Sequence, residues 1–277
     1  MARSRGRWYR PDPLPDKGEC SPLVGVAPRP WAPLPFDPKA VSRQLLDGEI
    51  VACEPIPNGS NYSFAVGISC HRSGAEATID HIAIYKPQRG EAPLWDFPQG
   101  TLYKREMAAY HTSQAIGWPF IPPTVVRSGP YGIGTVQLYI KPDASTHYYR
   151  WNSEHIPELM RITVFDYITN NADRKAAHCL LDVQRCVWGI DHGLTFHEDV
   201  KLRTAIQEFS SMRLPDWLYE EVRAFTGSAR CQELLDELQE YISPREIRAF
   251  QRRLQRILQR YAFPALDSYD STPREWW

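Results

Sequence analysis

Apolar and polar positions change their rhythm along this chain, and the change divides it into parts. Glu49–Pro55, Tyr62–Cys70 and Thr78–Tyr85 are short apolar-rich runs that predict three strands. Turn chemistry joins them at Pro57-Asn58-Gly59-Ser60 and at Arg72-Ser73-Gly74. The third run continues as Ile82-Ala-Ile-Tyr-Lys86-Pro87 and stops at the proline. A helix is predicted from about Leu102 to Gly117, where glycine supplies a stop. Two further strands follow: one bracketed by Pro122-Pro123 and Gly129–Gly132, the other over Thr135–Ile140.

Beyond Lys141-Pro142 the helical period takes over. Ile156, Leu159, Phe165 and Ile168 place a helix over His155–Asn170. Two short strands, Cys179–Val183 and Val187–Ile190, are followed by three or four helices. The last opens on Ser243-Pro244-Arg245-Glu246, a capping box with proline at the first helical position. Its apolar stripe is Ile247, Phe250, Leu254, Ile257 and Tyr261; its other face carries Arg245, Arg248, Arg252, Arg253, Arg256 and Arg260. That basic face is expected to be solvated, with docking to an acidic partner or membrane surface as the alternative. Upstream, Val41, Leu45 and Leu46 predict a short helix over Ala40–Leu46.

The order strands, helix, strands, helices predicts an α+β protein of two lobes. The expected organisation is a Pro-rich arm over residues 1–40, a β-rich N-lobe over 41–142 and a helical C-lobe over 143–277. Ligand sites favour the cleft between two such lobes.

Composition narrows the function. Thirty-two basic against 33 acidic residues give a net charge of −1, which argues against a general electrostatic nucleic-acid binder. No apolar run reaches the roughly 18–20 residues of a transmembrane helix, and the basic N-terminus lacks the apolar core of a secretory signal. Six scattered cysteines without a Cys-x-x-Cys pair predict reduced thiols and a cytoplasmic protein. Nine prolines fall in residues 1–40, punctuated by Trp8, Tyr9, Trp31 and Phe36. Such an arm is laid over the body by its aromatics or offered to a protein partner. Only seven of the 32 basic residues are lysine, so a lysine ending an apolar strand stands out.

The most informative segment is Asp166-Tyr-Ile-Thr-Asn-Asn171-Ala-Asp173-Arg174-Lys-Ala-Ala-His178, read with Ile190-Asp191-His192-Gly193. Asp173 and Asp191 flank a predicted β-hairpin, which brings them to one edge. One can act as base or orient a nucleophile; the other can hold a divalent metal. Gly193 is expected to let the backbone turn sharply behind the metal ligand. Phosphoryl transfer also needs a cation for nucleotide phosphates. Lys86 fits, because a lysine in that setting needs an anionic partner, and Glu106 on the next helix can supply it. The turn Gly59-Ser60-Asn61 can fold its amides over phosphates. His111, His192 and His197 have no evident partners in the sequence and read as surface or loop residues.

These residues resemble a family. Asp-Tyr-Ile-x-x-Asn-x-Asp-Arg followed by Ile-Asp-x-Gly-Leu-x-Phe is similar to the catalytic and metal-binding loops of the phosphatidylinositol 3-/4-kinase-like superfamily, above all the type II phosphatidylinositol 4-kinases. The whole chain is similar to compact actinobacterial-type members. The resemblance implies a protein-kinase-like fold that uses ATP with Mg²⁺ or Mn²⁺. It implies Asp173, in its Asp173-Arg174 motif, as the catalytic aspartate and Lys86 as the nucleotide lysine. It implies Asp191 as a metal ligand and Gln137, Tyr139 and Ile140 as part of a hinge beside adenine. Arg105-Glu106-Met-Ala-Ala-Tyr110 resembles the helix that supplies the lysine's partner. The family usually has asparagine five residues after the catalytic aspartate; His178 stands there instead, which favours Mn²⁺ and softer ions over Mg²⁺. Imidazole must be neutral to ligate, so metal binding is expected to weaken below pH about 6.5.

The expected activity is therefore ATP-dependent phosphoryl transfer to a hydroxyl, with a protein Ser/Thr favoured over inositol, another small polyol or a lipid. The alternatives are a nucleotide-binding pseudokinase or scaffold, and an enzyme transferring AMP from the same cleft.

Overall fold

The computed structural model describes residues 30–266 and 271–273, apart from 32, 58–59, 71–77, 147, 149–150 and 152. Most of the Pro-rich arm, the Arg72-Ser73-Gly74 turn and Asn58-Gly59 therefore lie outside the described residues.

The first helix, α1, spans Pro38–Asp47 and starts two residues before the expected Ala40 because Asp37 caps it, accepting from the Lys39 amide, with Pro38 at the first position. Five antiparallel strands follow in the spatial order β1-β2-β3-β5-β4: β1 Glu49–Ile56, β2 Ser63–Ser69, β3 His81–Pro87, β4 Thr124–Gly129 and β5 Gly132–Leu138. Val41 and Leu45 of α1 pack with Phe64, Val66, Ile68, Tyr85 and Val136 of the sheet to form one core. Lys86 of β3 faces Thr135, and Pro87 faces Gly134. A Cβ at position 134 would run into the Lys86 carbonyl, so only glycine lets β5 approach this closely behind the lysine.

The helix α2, Leu102–Ile116, ends as predicted at Gly117, whose φ of 82° is the left-handed conformation of a glycine stop. Among the described C-terminal residues α3, Ile156–Thr169, is the central helix, buried on nearly every side. β6 Cys179–Leu181 and β7 Val187–Gly189 pair antiparallel as a separate short hairpin. Helices α4 Asp216–Thr226, α5 Ala229–Glu237 and α6 Pro244–Arg260 complete the larger core. The capping box of α6 forms as expected: the Ser243 hydroxyl accepts from the Glu246 amide, and the Glu246 carboxylate accepts from the Ser243 amide.

This is an α+β architecture with an antiparallel sheet first and helices after it. Trp31 and Phe36, from the part of the arm that is described, pack on Phe120 and stack on Trp188. Along α6, Arg245, Arg248, Arg252, Arg256 and Arg260 are exposed. Arg253 departs from that face: it turns inward and donates to the carbonyls of Ile168 and His197, and burial lowers its pKa to about 10.

Candidate active site

Two loops and one lysine build the site. The first loop begins where α3 stops at Asn170, whose φ is 57° and whose side-chain amide donates to the carbonyls of His197 and Asp199. The Asn171 side chain then accepts from the Asp173 amide at 3.0 Å and donates to Asp166 at 3.0 Å. These bonds set the direction in which Asp173 leaves the helix end. The Asp173 carboxylate lies 3.5 Å from Lys175 Nζ.

Arg174 does not face the cleft. Its side chain is fully buried and grips Asp166 with Nε at 2.9 Å and Nη2 at 2.8 Å. Nη1 donates to the Ile190 carbonyl at 3.0 Å, and Nη2 lies 2.7 Å from His192 Nε2. Burial opposes the arginine's charge, but Asp166 outweighs it and raises the pKa. Arg174, expected as part of the catalytic Asp173-Arg174 motif, is thus bonded to both loops from behind.

The second loop follows β7. Asp191 itself carries the left-handed turn, with φ 61°, whereas Gly193 has no such conformation. The expected role of Gly193 thus passes to Asp191, an unfavourable backbone for a non-glycine residue that its neighbours hold in place. Lys86 bridges the sheet to this loop, with Nζ 2.5 Å from Glu106 Oε1 and 2.9 Å from Asp191 Oδ1. The other Glu106 oxygen accepts from the His192 amide at 3.0 Å. Burial works against the Lys86 ammonium, yet Asp191 and Glu106 raise its pKa. Lys86 in turn holds the Asp191 carboxyl well below the usual carboxylate range, and burial raises that of Glu106. Glu106 is buried, not a solvated helix residue.

His178 joins the two loops. Its Nδ1 lies 3.1 Å from the Asp173 carbonyl, and its Nε2 lies 3.4 Å from Asp191 Oδ2. The Lys175 amide donates to the same Nδ1 at 3.4 Å; in the tautomer that instead carries the proton on Nδ1, bonded to the Asp173 carbonyl, Nε2 offers a lone pair beside the Asp191 carboxylate that suits a divalent cation. Burial lowers the His178 pKa to about 4, so the imidazole is already neutral well below pH 6.5. The expected loss of ligation near pH 6.5 is corrected accordingly. Among the described residues no cluster of three or more His, Cys, Asp and Glu side chains is assembled; His178 and Asp191 are two donors that could hold a cation here.

The remaining expected residues are more scattered. Gly59 lies outside the described residues, and Ser60 is exposed beside it. Asn61 accepts from the Ala92 amide at 2.7 Å, which ties the turn to the segment after β3. Gln137 is buried and donates to Thr124 on β4. Tyr139 is half-exposed, and Ile140 packs on Cys186 and Trp188 of the small hairpin.

Two residues of the site were not legible in the sequence. Asp166 anchors Arg174 from one full helical turn earlier than the loop. His192, expected as a surface or loop residue, lies in the loop but is fully buried among Phe120, Phe165 and Arg174. A lone acidic residue in the apolar second half of α3, Asp166, was the signal available for the first.

No protein-family model matches the chain. It is 32% identical over 264 residues to Protein Rv2133c of Mycobacterium tuberculosis, covering 83% of this chain and 92% of that protein. Its fold is similar to that of a Golgi casein kinase solved with Mn and ADP bound, at a TM-score of 0.56 and 15% identity over 81% of this chain and 75% of the other. It is likewise similar to a hydra Fam20 solved with sugar, at a TM-score of 0.56 and 15% identity over 84% and 90% of the two chains. These likenesses establish a protein-kinase-like fold.

Proposed function

The chain belongs to the family of Protein Rv2133c, and we propose that it is an atypical kinase that moves the γ-phosphoryl group of ATP to a hydroxyl. One observation carries the proposal: Lys86 of the sheet, Glu106 of α2 and Asp191 of the C-terminal half meet in one ion-paired cluster across the cleft. Phosphoryl transfer needs that set: a cation for phosphate, a carboxylate to hold it in place, and a second carboxylate for a metal.

In this reading Lys86 contacts the nucleotide phosphates, with Glu106 fixing its direction. Asp191 and His178 hold Mg²⁺ or Mn²⁺; the Mn²⁺ and ADP of the Golgi casein kinase structure support that choice. A cation held by these two residues would supply positive charge to the nucleotide phosphates. Asp173 orients the acceptor hydroxyl and takes its proton, while Asn171 and Arg174 hold the loop. Tyr139 and Ile140 would flank the adenine, Ile140 packing on Cys186 and Trp188 beside the small hairpin. The similarity of these loops to the phosphatidylinositol 3-/4-kinase-like superfamily stays part of the proposal, as does the division into an N-lobe over 41–142 and a C-lobe over 143–277.

The test uses the pure protein with γ-labelled and α-labelled ATP, with Mg²⁺ or Mn²⁺. Transfer of the γ label is the expected result. Transfer of the α label identifies an AMP-transferring enzyme instead, and nucleotide binding with neither label moved identifies a pseudokinase.

A further inference from the structure

The last helix, α6, buries Ile247, Phe250, Leu254 and Ile257 in the larger core. Every exposed residue from Arg245 to Arg260 is arginine or glutamine. At 3.6 residues per turn, Arg245, Arg248, Arg252, Arg256 and Arg260 fall within about 120° of the helix circumference. At a rise of 1.5 Å per residue they extend over about 22 Å in one line.

This line of charge is uncompensated. Elsewhere Arg105 meets Glu246, Arg161 meets Glu221, Arg174 meets Asp166 and Arg185 meets Glu154. Among the described residues none of the five exposed arginines of α6 is paired with a carboxylate. Glu246 is the only acidic residue of the helix, and it is turned inward to Arg105. Burial lowers the pKa of Arg253, and repulsion from Arg252 lowers it further. Like charges three and four residues apart disfavour a helix, and an anionic surface laid against them relieves that repulsion. The other 27 basic residues of the chain stand against 33 acidic ones, so everything outside the stripe sums to −6. That asymmetry turns the stripe towards negative charge.

We infer that the exposed face of α6 docks the protein on a membrane surface that displays anionic phospholipid headgroups. Five arginines on one helix face are the number and pattern that such a surface holds electrostatically. The apolar side of α6 is spent on the core, so contact is with headgroups and not with acyl chains. A folded protein partner is disfavoured, because the stripe has no apolar residue to anchor the centre of an interface. A single-stranded nucleic acid is disfavoured as well, because no exposed aromatic ring stands in the stripe to stack a base. Beside the stripe, Arg253 donates to the Ile168 carbonyl at 2.8 Å and to the His197 carbonyl at 3.2 Å. The docked helix therefore adjoins the segment that leaves the Asp191 loop. Docking of this kind does not depend on phosphoryl transfer.

The experiment is sedimentation of the full chain with vesicles of phosphatidylcholine alone or with about 30% phosphatidylserine. Binding to the phosphatidylserine vesicles and none to phosphatidylcholine is expected. Raising salt from about 0.1 M to about 1 M shortens the screening length from about 10 Å to about 3 Å and should release the protein. The double variant Arg252→Gln/Arg256→Gln keeps good helix formers and should bind about 25-fold more weakly, about fivefold for each arginine. Arg43→Gln/Arg223→Gln makes the same change of charge at exposed positions on α1 and α4 and should stay within about twofold of wild type. Thermal melting equal to wild type confirms that each variant is folded. Equal sedimentation with both kinds of vesicle, or with neither, overturns the proposal. So does a stripe variant that binds as wild type does, or a control variant that weakens as much as the stripe variant. A short DNA duplex and polyglutamate, followed by fluorescence anisotropy, complete the test. If either binds through the stripe while the vesicles do not, the partner is a soluble polyanion and the membrane assignment falls.

Discussion

Arg174 pairs with Asp166, eight residues earlier, and not with Asp173 beside it; both side chains are fully buried. The arginine also reaches the Ile190 carbonyl, so one guanidinium ties the end of α3 to both loops of the site. Loop geometry therefore depends on an interior ion pair that touches no ligand.

Removing one member of that pair strands a charge inside the protein, which costs about 3–5 kcal/mol. Asp166→Asn should accordingly lower the unfolding free energy by about that much in a urea titration. A midpoint equal to wild type would show that the pair does not hold the loops.

Lys86→Met keeps the aliphatic stem and removes the ammonium. In the kinase reading it weakens ATP binding by about 10–100-fold, or about 1.4–2.7 kcal/mol. Calorimetric titration of ATP into the folded variant checks this; unchanged affinity sinks the phosphate role.

Asp173→Asn keeps the hydrogen-bonding shape but cannot take a proton. Transfer should fall about 10²–10⁴-fold, the usual contribution of a positioned base, while ATP affinity stays within about twofold of wild type. A wild-type transfer rate would remove Asp173 from the chemistry.

His178→Asn replaces imidazole by an oxygen donor. Native protein should prefer Mn²⁺ to Mg²⁺ in metal-dependent nucleotide binding, and this variant should shift towards Mg²⁺. His178→Ala should weaken metal-dependent binding about 10–100-fold. Identical metal profiles in all three proteins would leave His178 as a bridge between the loops and nothing more.

His111 supplies a pH prediction away from the site. Burial lowers its pKa to about 4 from an ordinary 6.5, and its Nδ1 lies 2.7 Å from Glu237. The unfolded chain binds a proton here that the folded chain refuses. The stability from this residue is present in full above pH 6.5 and drains away as pH falls towards 4, by up to about 1.4 kcal/mol per pH unit. His111→Gln should flatten the fall of the thermal midpoint between pH 6.5 and 5; an unaltered slope would place the acid sensitivity elsewhere.

What the sequence disclosed was local. The Gly117 stop, the Ser243–Glu246 box and the proline ending β3 are short-range signals, and each governs its own few residues. The Lys86–Glu106 pairing was also legible, because a lysine ending an apolar strand has few ways to be satisfied. Partnerships across the fold were not. Nothing within the Asp173-Arg174 dipeptide says that its arginine turns back to α3. That the loop residue His192 is buried was hidden, because the rings that bury it, Phe120 and Phe165, come from distant segments. Likewise Asp191, not Gly193, takes the left-handed backbone, since the tertiary contacts of its carboxylate decide the turn.

Arg105 stands next to Glu106 on α2, and its guanidinium is bonded to the Thr195 carbonyl at 2.7 Å and to Glu246 of α6 at 2.6 Å. That places the helix carrying Glu106 under a clamp from the far side of the molecule. Swinging α2 outwards to break the Lys86 pair would also break this buried bridge, at about 3–5 kcal/mol. At equilibrium the displaced helix would be found in on the order of one molecule in a hundred to one in several thousand. A molecule built in this way rests in its assembled state, and in the kinase reading turnover then answers to nucleotide and acceptor and not to a switch in the helix.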